Sequence, residues 1–185
     1  MNQDVDVASM LQRIEGQTGH VSSVEILEPN PRDVQDWCIP GFGAGARIQT
    51  SFGLVPIEVL RRGDPVKANG DQFLKVQYVD QIKLDRRFLL NFPEAQPVTI
   101  PKDAFGVSCP NQPIRLSGAQ VIKLPSRFDQ GRGKAAHDLI GQRNIARDLS
   151  GYFTYYVFHC GEPCSVCIDG LWVEIAPSDP DTSTE

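Results

Sequence analysis

Residues 41–67, GFGAGARIQTSFGLVPIEVLRRGDPVK, decide the fold. Ala46–Thr50 alternates apolar and polar residues, as a half-buried strand does. Ser51-Phe52-Gly53 supplies a turn, with Gly53 free to take a positive φ. Val55–Leu60 reads as a second extended piece, which Pro56 pushes toward a sheet edge. Arg62-Gly63-Asp64-Pro65 turns the chain again, and Val66–Ala68 is a short strand before the hairpin dipeptide Asn69-Gly70.

The same grammar runs outward. Phe73–Leu84 alternates, and Phe88–Phe92 and Val98–Ile100 read as strands split by Pro93 and Pro97. Ile114–Leu116 and Gln120–Leu124 flank Ser117-Gly118, read as a second hairpin, and Tyr152–His159 is aromatic and β-branched. Ser165–Ile168 and Leu171–Ile175 flank Asp169-Gly170, a further hairpin signal. His137–Ile140 reads as one helical turn, and Gln142–Leu149 has no clear period. Many short strands with turn signals and little helix predict an all-β fold.

Composition narrows the function classes. The 185 residues are 41% hydrophobic and 22% charged, enough for one domain with a core. The net charge of −5 disfavours a nucleic-acid partner. No segment is apolar enough to span a membrane, and MNQDVDVASMLQRIEG lacks the basic and apolar regions of a signal peptide. With five cysteines and no export signal, the expected location is cytoplasmic with thiols reduced. The expected organisation is a flexible leader over 1–37, a domain over 38–176 and a disordered tail over 177–185.

The order Gly45-Ala46-Arg47-Ile48-x-Thr50, Pro56-Ile57-Glu58-x-Leu60, Gly63-Asp64-x-Val66 resembles the opening block of Hint domains. That fold is shared by inteins and Hedgehog autoprocessing modules, and the likeness is strongest to the bacterial stand-alone branch. Tyr155-Tyr156, then Val166-x-Ile168-Asp169-Gly170-Leu171 and Glu174, resembles the family's ending, Tyr-Tyr-His … Val-x-x-Ala-x-Gly-Leu … Glu. The likeness spans about three quarters of the chain. It implies a horseshoe of short strands with hairpins, built from two related halves. It also implies that Gly45, Thr50, Gly53, Glu58, Gly63, Asp64, Asp169 and Gly170 serve the fold.

Hint chemistry needs a thiol or hydroxyl at the head of the first block, attacking the carbonyl just before it. A His in a later block polarises or protonates the scissile amide. In this frame the head of the block is Gly41, and the His of Val107-Ser108-Cys109-Pro110-Asn111-Gln112 falls on Gln112. A glutamine donates hydrogen bonds but transfers no proton near neutral pH. The expectation is therefore a degenerate Hint domain acting as a binding or structural module, with a protein as the partner class and no cofactor.

Two rival readings remain open. Cys38, three residues before Gly41, would be a displaced nucleophile attacking the Trp37 carbonyl in a self-cleaving domain. Cys160, Cys164 and Cys167 have a Cys-x3-Cys-x2-Cys spacing that would hold a metal if Cys109 or His159 joined them. The bland alternative makes these cysteines small apolar residues in strands. Gly41-x-Gly43-x-Gly45 lacks the following Lys-Ser/Thr of a phosphate loop and reads as a turn. Arg127, Arg132 and Lys134 read as a basic loop rather than a nucleic-acid face.

Overall fold

A computed structural model describes residues 39–125 and 133–177. The strands are β1 (Arg47–Thr50), β2 (Gly53–Pro56), β3 (Pro65–Ala68), β4 (Gln72–Lys75), β5 (Tyr78–Leu84), β6 (Val98–Ile100) and β7 (Ile114–Leu116). They continue with β8 (Val121–Lys123), β9 (Gly133–Ala135), β10 (Ala146–Arg147), β11 (Phe153–His159), β12 (Cys164–Ile168) and β13 (Leu171–Ile175). One short helix, α1 (Arg86–Asn91), and three single 3-10 turns complete the described elements.

The first block builds one end of an eight-stranded antiparallel sheet, ordered β2-β1-β3-β12-β13-β8-β9 with β4 on β3. β1 lies against β12 as well as β3, with Ile48 opposite Ile168 and Thr50 opposite Val66. The block is thus joined to the C-terminal hairpin β12–β13 through backbone pairing. β10-β6-β7 forms a second sheet, and β5 and β11 form a long ribbon from Leu84↔Phe153 to Tyr78↔His159. Phe42 bridges Leu116 on one side and Tyr156 on the other, stitching the second sheet to the ribbon.

Alternation along the strands accounts for the core. Ile48, Val66, Ala68, Ile100, Leu116, Ile122, Val166, Ile168 and Val173 are fully buried and pack in one apolar cluster. Each large apolar side chain buried there contributes about 1.5–3 kcal/mol. A smaller cluster of Leu84, Leu89, Ala95, Phe153 and Tyr155 sits under the ribbon, and the Tyr155 hydroxyl donates to the Ala95 carbonyl at 2.9 Å. Desolvation raises the Tyr155 pKa well above the usual phenol range.

Both Asn-Gly and Asp-Gly hairpins form as expected. Asn69 and Gly70 have φ of 48° and 94°, and Asp169 and Gly170 have 48° and 83°. Two successive positive φ values are what a type I′ turn requires. Pro56 ends β2, which lies at a sheet edge. His137–Ile140 overlaps a 3-10 turn, Ala136–Leu139.

Five expectations are corrected. Ser117-Gly118 closes no hairpin, because β7 pairs with β6 while β8 pairs with β13 and β9. Lys134 is not in a loop but in β9, opposite Ile122. Phe88–Phe92 is not a strand: Asp85 caps a helical turn by accepting from the Phe88 N–H at 2.8 Å, and within α1 only Leu89 is buried. Val55–Leu60 is not one extended piece, because Ile57–Val59 winds into a 3-10 turn right after Pro56. Phe73–Leu84 is two strands in different sheets. Val76 N–H donates to the Asp64 carbonyl and Gln77 N–H to the His159 carbonyl, so the chain changes partners between them.

Candidate functional site

The segment Ile39–Gly43 enters the domain between β7 and β11, and hydrogen bonds hold it on both edges. Phe42 N–H donates to the Tyr156 carbonyl at 2.9 Å, and Tyr156 N–H returns to Phe42 at 2.8 Å. On the other edge, Ser117 N–H donates to the Gly41 carbonyl and Gly43 N–H to the Arg115 carbonyl, both at 2.8 Å. The buried Ser117 hydroxyl donates to the Ile39 carbonyl at 2.7 Å. A Cβ added at Gly41 would meet Val157 Cγ1 at 3.1 Å and Tyr155 Cβ at 3.2 Å. The nearest atoms that a side chain at Gly41 would meet are therefore all hydrocarbon.

Val157, which the sequence reading passed over, lies beside Gly41 and directly follows Tyr155-Tyr156, so in the resemblance to a Tyr-Tyr-His ending it falls at the third position. Completing that triplet residue by residue would have found it.

A polar cluster lies further along the block, centred on the fully buried carboxylate of Asp169. Its Oδ2 accepts from Arg47 N–H at 2.8 Å and its Oδ1 from Arg47 Nε at 2.9 Å. Asp169 N–H donates back to the Arg47 carbonyl at 2.8 Å. Arg47 Nη2 donates to Asn111 Oδ1 at 2.8 Å, and Asn111 N–H donates to the Asp169 carbonyl at 2.8 Å. Gln112 Nε2 donates to the Gly45 carbonyl at 2.8 Å and to Asp169 Oδ2 at 3.1 Å. Three segments distant in sequence thus share one carboxylate. Gln112 is committed to Gly45 and Asp169, four or more residues beyond Gly41.

The remaining motif residues serve turns. Glu58 accepts from Gly45 N–H at 2.8 Å. Thr50 Oγ1 donates to the Gly53 carbonyl at 2.8 Å and accepts from Phe52 N–H at 3.1 Å. Asp64 accepts from Arg61 N–H at 2.8 Å, and Gly63 N–H donates to the Val76 carbonyl at 2.7 Å. Gly63 has φ of 94°, which a β-carbon disfavours. At Gly170 a side chain would strike the Ser108 carbonyl.

Cys38, Arg127 and Arg132 lie outside the described residues, as do residues 1–37 and 178–185. Cys109, Cys160, Cys164 and Cys167 are not joined in disulfides. Cys164 and Cys167 are three apart on β12 and so face opposite sides of the sheet. Burial pushes the Cys160 thiol up to about 12 and raises Cys164 and Cys167 as well. His159 accepts from Gly161 N–H through Nδ1 at 3.0 Å and stacks on Tyr78 with ring centroids 5.2 Å apart. Among the described residues no group of three or more His, Cys, Asp and Glu is placed to hold a metal ion. No helix among them is long and apolar enough to cross a membrane.

A motif strand, a middle loop and a C-terminal hairpin thus meet at one buried carboxylate in an all-β protein of antiparallel sheets. The family model for the Hint domain matches residues 40–178, and the chain belongs to that family. The solution structure of a bacterial intein-like domain from Clostridium thermocellum matches with a TM-score of 0.50 and 17% identity, covering 75% of this chain and 99% of that one. The crystal structure of the gp41-1 intein matches with a TM-score of 0.49 and 11% identity, covering 73% of this chain and 98% of that one. At 17% identity the likeness to the Clostridium thermocellum domain speaks for the fold alone. None of the curated proteins matches the chain.

Proposed function

We propose that this chain is a catalytically degenerate Hint domain that serves as a binding or structural module, with a protein as the partner class. One observation carries the reading: at Gly41 the chain is hydrogen-bonded along both edges and faces the hydrocarbon of Tyr155 and Val157. Acyl shift at this place needs a nucleophile, a proton donor and a polarised carbonyl held together. Gly41 supplies no nucleophile, Val157 no proton, and Gln112 spends its amide on Gly45 and Asp169. A cytoplasmic location belongs to the same proposal and fits cysteines that are not joined in disulfides.

Intact mass of freshly purified full-length protein, followed for a day at neutral pH with and without dithiothreitol or hydroxylamine, tests it. The expected result is one stable species of 20.5 kDa in every condition. A fragment beginning at Cys38 would show that a displaced thiol attacks the Trp37 carbonyl, and the degenerate reading would fall. Stoichiometric zinc or iron, lost in Cys164→Ser, would replace it with the metal-binding reading.

A further inference from the structure

We propose that the Asp80 carboxylate guards the free edge of β5, and that this edge, once unguarded, pairs with the same edge of a second copy of the chain. Among the described residues β5 pairs with β11 alone, along its whole length from Tyr78↔His159 to Leu84↔Phe153. At seven residues it is the longest strand among them with an unpaired edge. The far side of β11 is taken, because Phe42 and Tyr156 exchange both backbone hydrogen bonds at 2.9 and 2.8 Å. Tyr156 therefore turns its N–H and C=O away from β5, and the alternation of an antiparallel ladder turns those of Gln81, opposite it, the other way. Val79, Gln81 and Lys83 thus aim their backbone groups outward, off the ribbon.

The central outward donor is already occupied. Gln81 N–H donates to Asp80 Oδ1 at 2.7 Å. Tyr78 steadies the same carboxylate: its hydroxyl donates to Oδ2 at 2.9 Å, and its ring stacks on His159 with centroids 5.2 Å apart. Both hydrogen bonds, that from Gln81 first, hold the Asp80 carboxyl below its usual pKa, so it is ionised at neutral pH. The cap links neighbouring residues of one exposed strand, so its effect falls on the edge rather than on the core. A charged side chain placed there opposes the addition of another strand.

A second β5 fits this edge by symmetry. A two-fold axis between the two Gln81 residues runs the strands antiparallel and lets those residues exchange N–H and C=O. Val79 of each copy then faces Lys83 of the other, and each face of the pleat stays on its own side. Asp80 opposes this arrangement twice. Both Gln81 N–H groups must leave charged acceptors, which bind more strongly than the neutral carbonyls that replace them. The two carboxylates also come to lie diagonally across the pair on one face, about 7–8 Å apart, where like charges repel. The ends of the large sheet need less protection: β2 and β9 have four and three residues, and Pro56 closes β2.

Sedimentation velocity of the full-length chain at neutral pH and about 0.1 mM, where weak interfaces populate, tests the guard. The wild type should sediment as a monomer of 20.5 kDa. Asp80→Ala removes both caps and both charges, and should tighten self-association on the order of a hundredfold, giving a concentration-dependent dimer. Two double variants place the contact on β5. Gln81→Pro in the Asp80→Ala background deletes the central N–H, which an outward edge position tolerates, and should return the monomer. Val79→Lys in the same background sets a lysine opposite Lys83 of the other copy and should return it too. This change leaves the backbone as it is, so the test stands even where proline disturbs the ribbon. An Asp80→Ala variant that stays monomeric would overturn the proposal. So would a wild type as dimeric as the variant, or a dimer that survives the Val79→Lys change. The readout is mass in solution, so it is independent of whether the chain binds another protein.

Discussion

Asp169→Asn removes the charge of the shared carboxylate while keeping its size and its tolerance of the positive φ of 48°. Wild-type Asp169 accepts from Arg47 N–H, Arg47 Nε and Gln112 Nε2 at 2.8, 2.9 and 3.1 Å. An amide in that place turns an NH2 toward one of these donors and leaves Arg47 without its counter-ion. Removing one partner of a buried charge pair costs about 3–5 kcal/mol. The Arg47 side chain is 35% exposed and recovers some hydration, so the low end, about 3 kcal/mol, applies. For a domain of this size that is a fall in melting temperature of about 6–12 °C. With a urea m-value of about 2 kcal/mol/M, the midpoint should fall by about 1.5 M at constant m. Paired urea titrations of wild type and variant by far-UV circular dichroism read this out. A loss below about 1 kcal/mol would refute the idea that this carboxylate joins the three segments energetically.

Gly41→Cys should not restore self-cleavage, because the added side chain meets Val157 and Tyr155 rather than a proton donor. It should lower stability by about 1–3 kcal/mol, and a cleaved fragment in dithiothreitol by mass spectrometry would contradict this. In Gly43→Ala the new Cβ would lie 2.7 Å from Phe153 Cζ and 3.1 Å from Arg115 Cβ. A loss of about 1–3 kcal/mol in urea titration is expected, and an unchanged midpoint would count against the tight entry. The pH dependence follows from the thiols. Cys160 titrates at 9.0 when unperturbed and is pushed up to about 12 in the folded chain, so above pH 9 the unfolded state loses a proton that the folded state keeps. Stability should therefore fall as pH rises above 9, by at most about 1.4 kcal/mol per unit from this group. Cys160→Ala should flatten that limb in urea titrations between pH 8 and 10, and an unchanged slope would exclude the thiol as its source.

The fold was legible where the chemistry is local. Asn69-Gly70 and Asp169-Gly170 specify their turns within two residues, and the strands they join follow. Phe88–Phe92 was misread because a helix of one and a half turns buries only Leu89, too little to display a helical period. The break at Val76–Gln77 was hidden because alternation continues through it while the partners change from β3 to β11. The polar cluster was half legible. Asp169 reads as an ordinary hairpin residue, and nothing near it in sequence signals that it is fully buried. Its cation, Arg47, lies 122 positions away, and only the pairing of β1 with β12 brings them together. Cys164 and Cys167 look alike in a spacing pattern, yet a three-residue offset on a strand puts them on opposite faces.

The division of labour among the motif residues bears on the proposed function. Gly45, Thr50, Glu58, Gly63, Asp64, Asp169 and Gly170 each take part in a hydrogen bond, a positive-φ turn or a close approach that the surrounding strands need. In the proposed reading Gly41, Gln112 and Val157 stand at the positions of a nucleophile and proton-carrying side chains, and none of the three ionises. These two sets touch different atoms: the first closes turns and neutralises Arg47, while two of the second pack against each other as hydrocarbon around the entering chain.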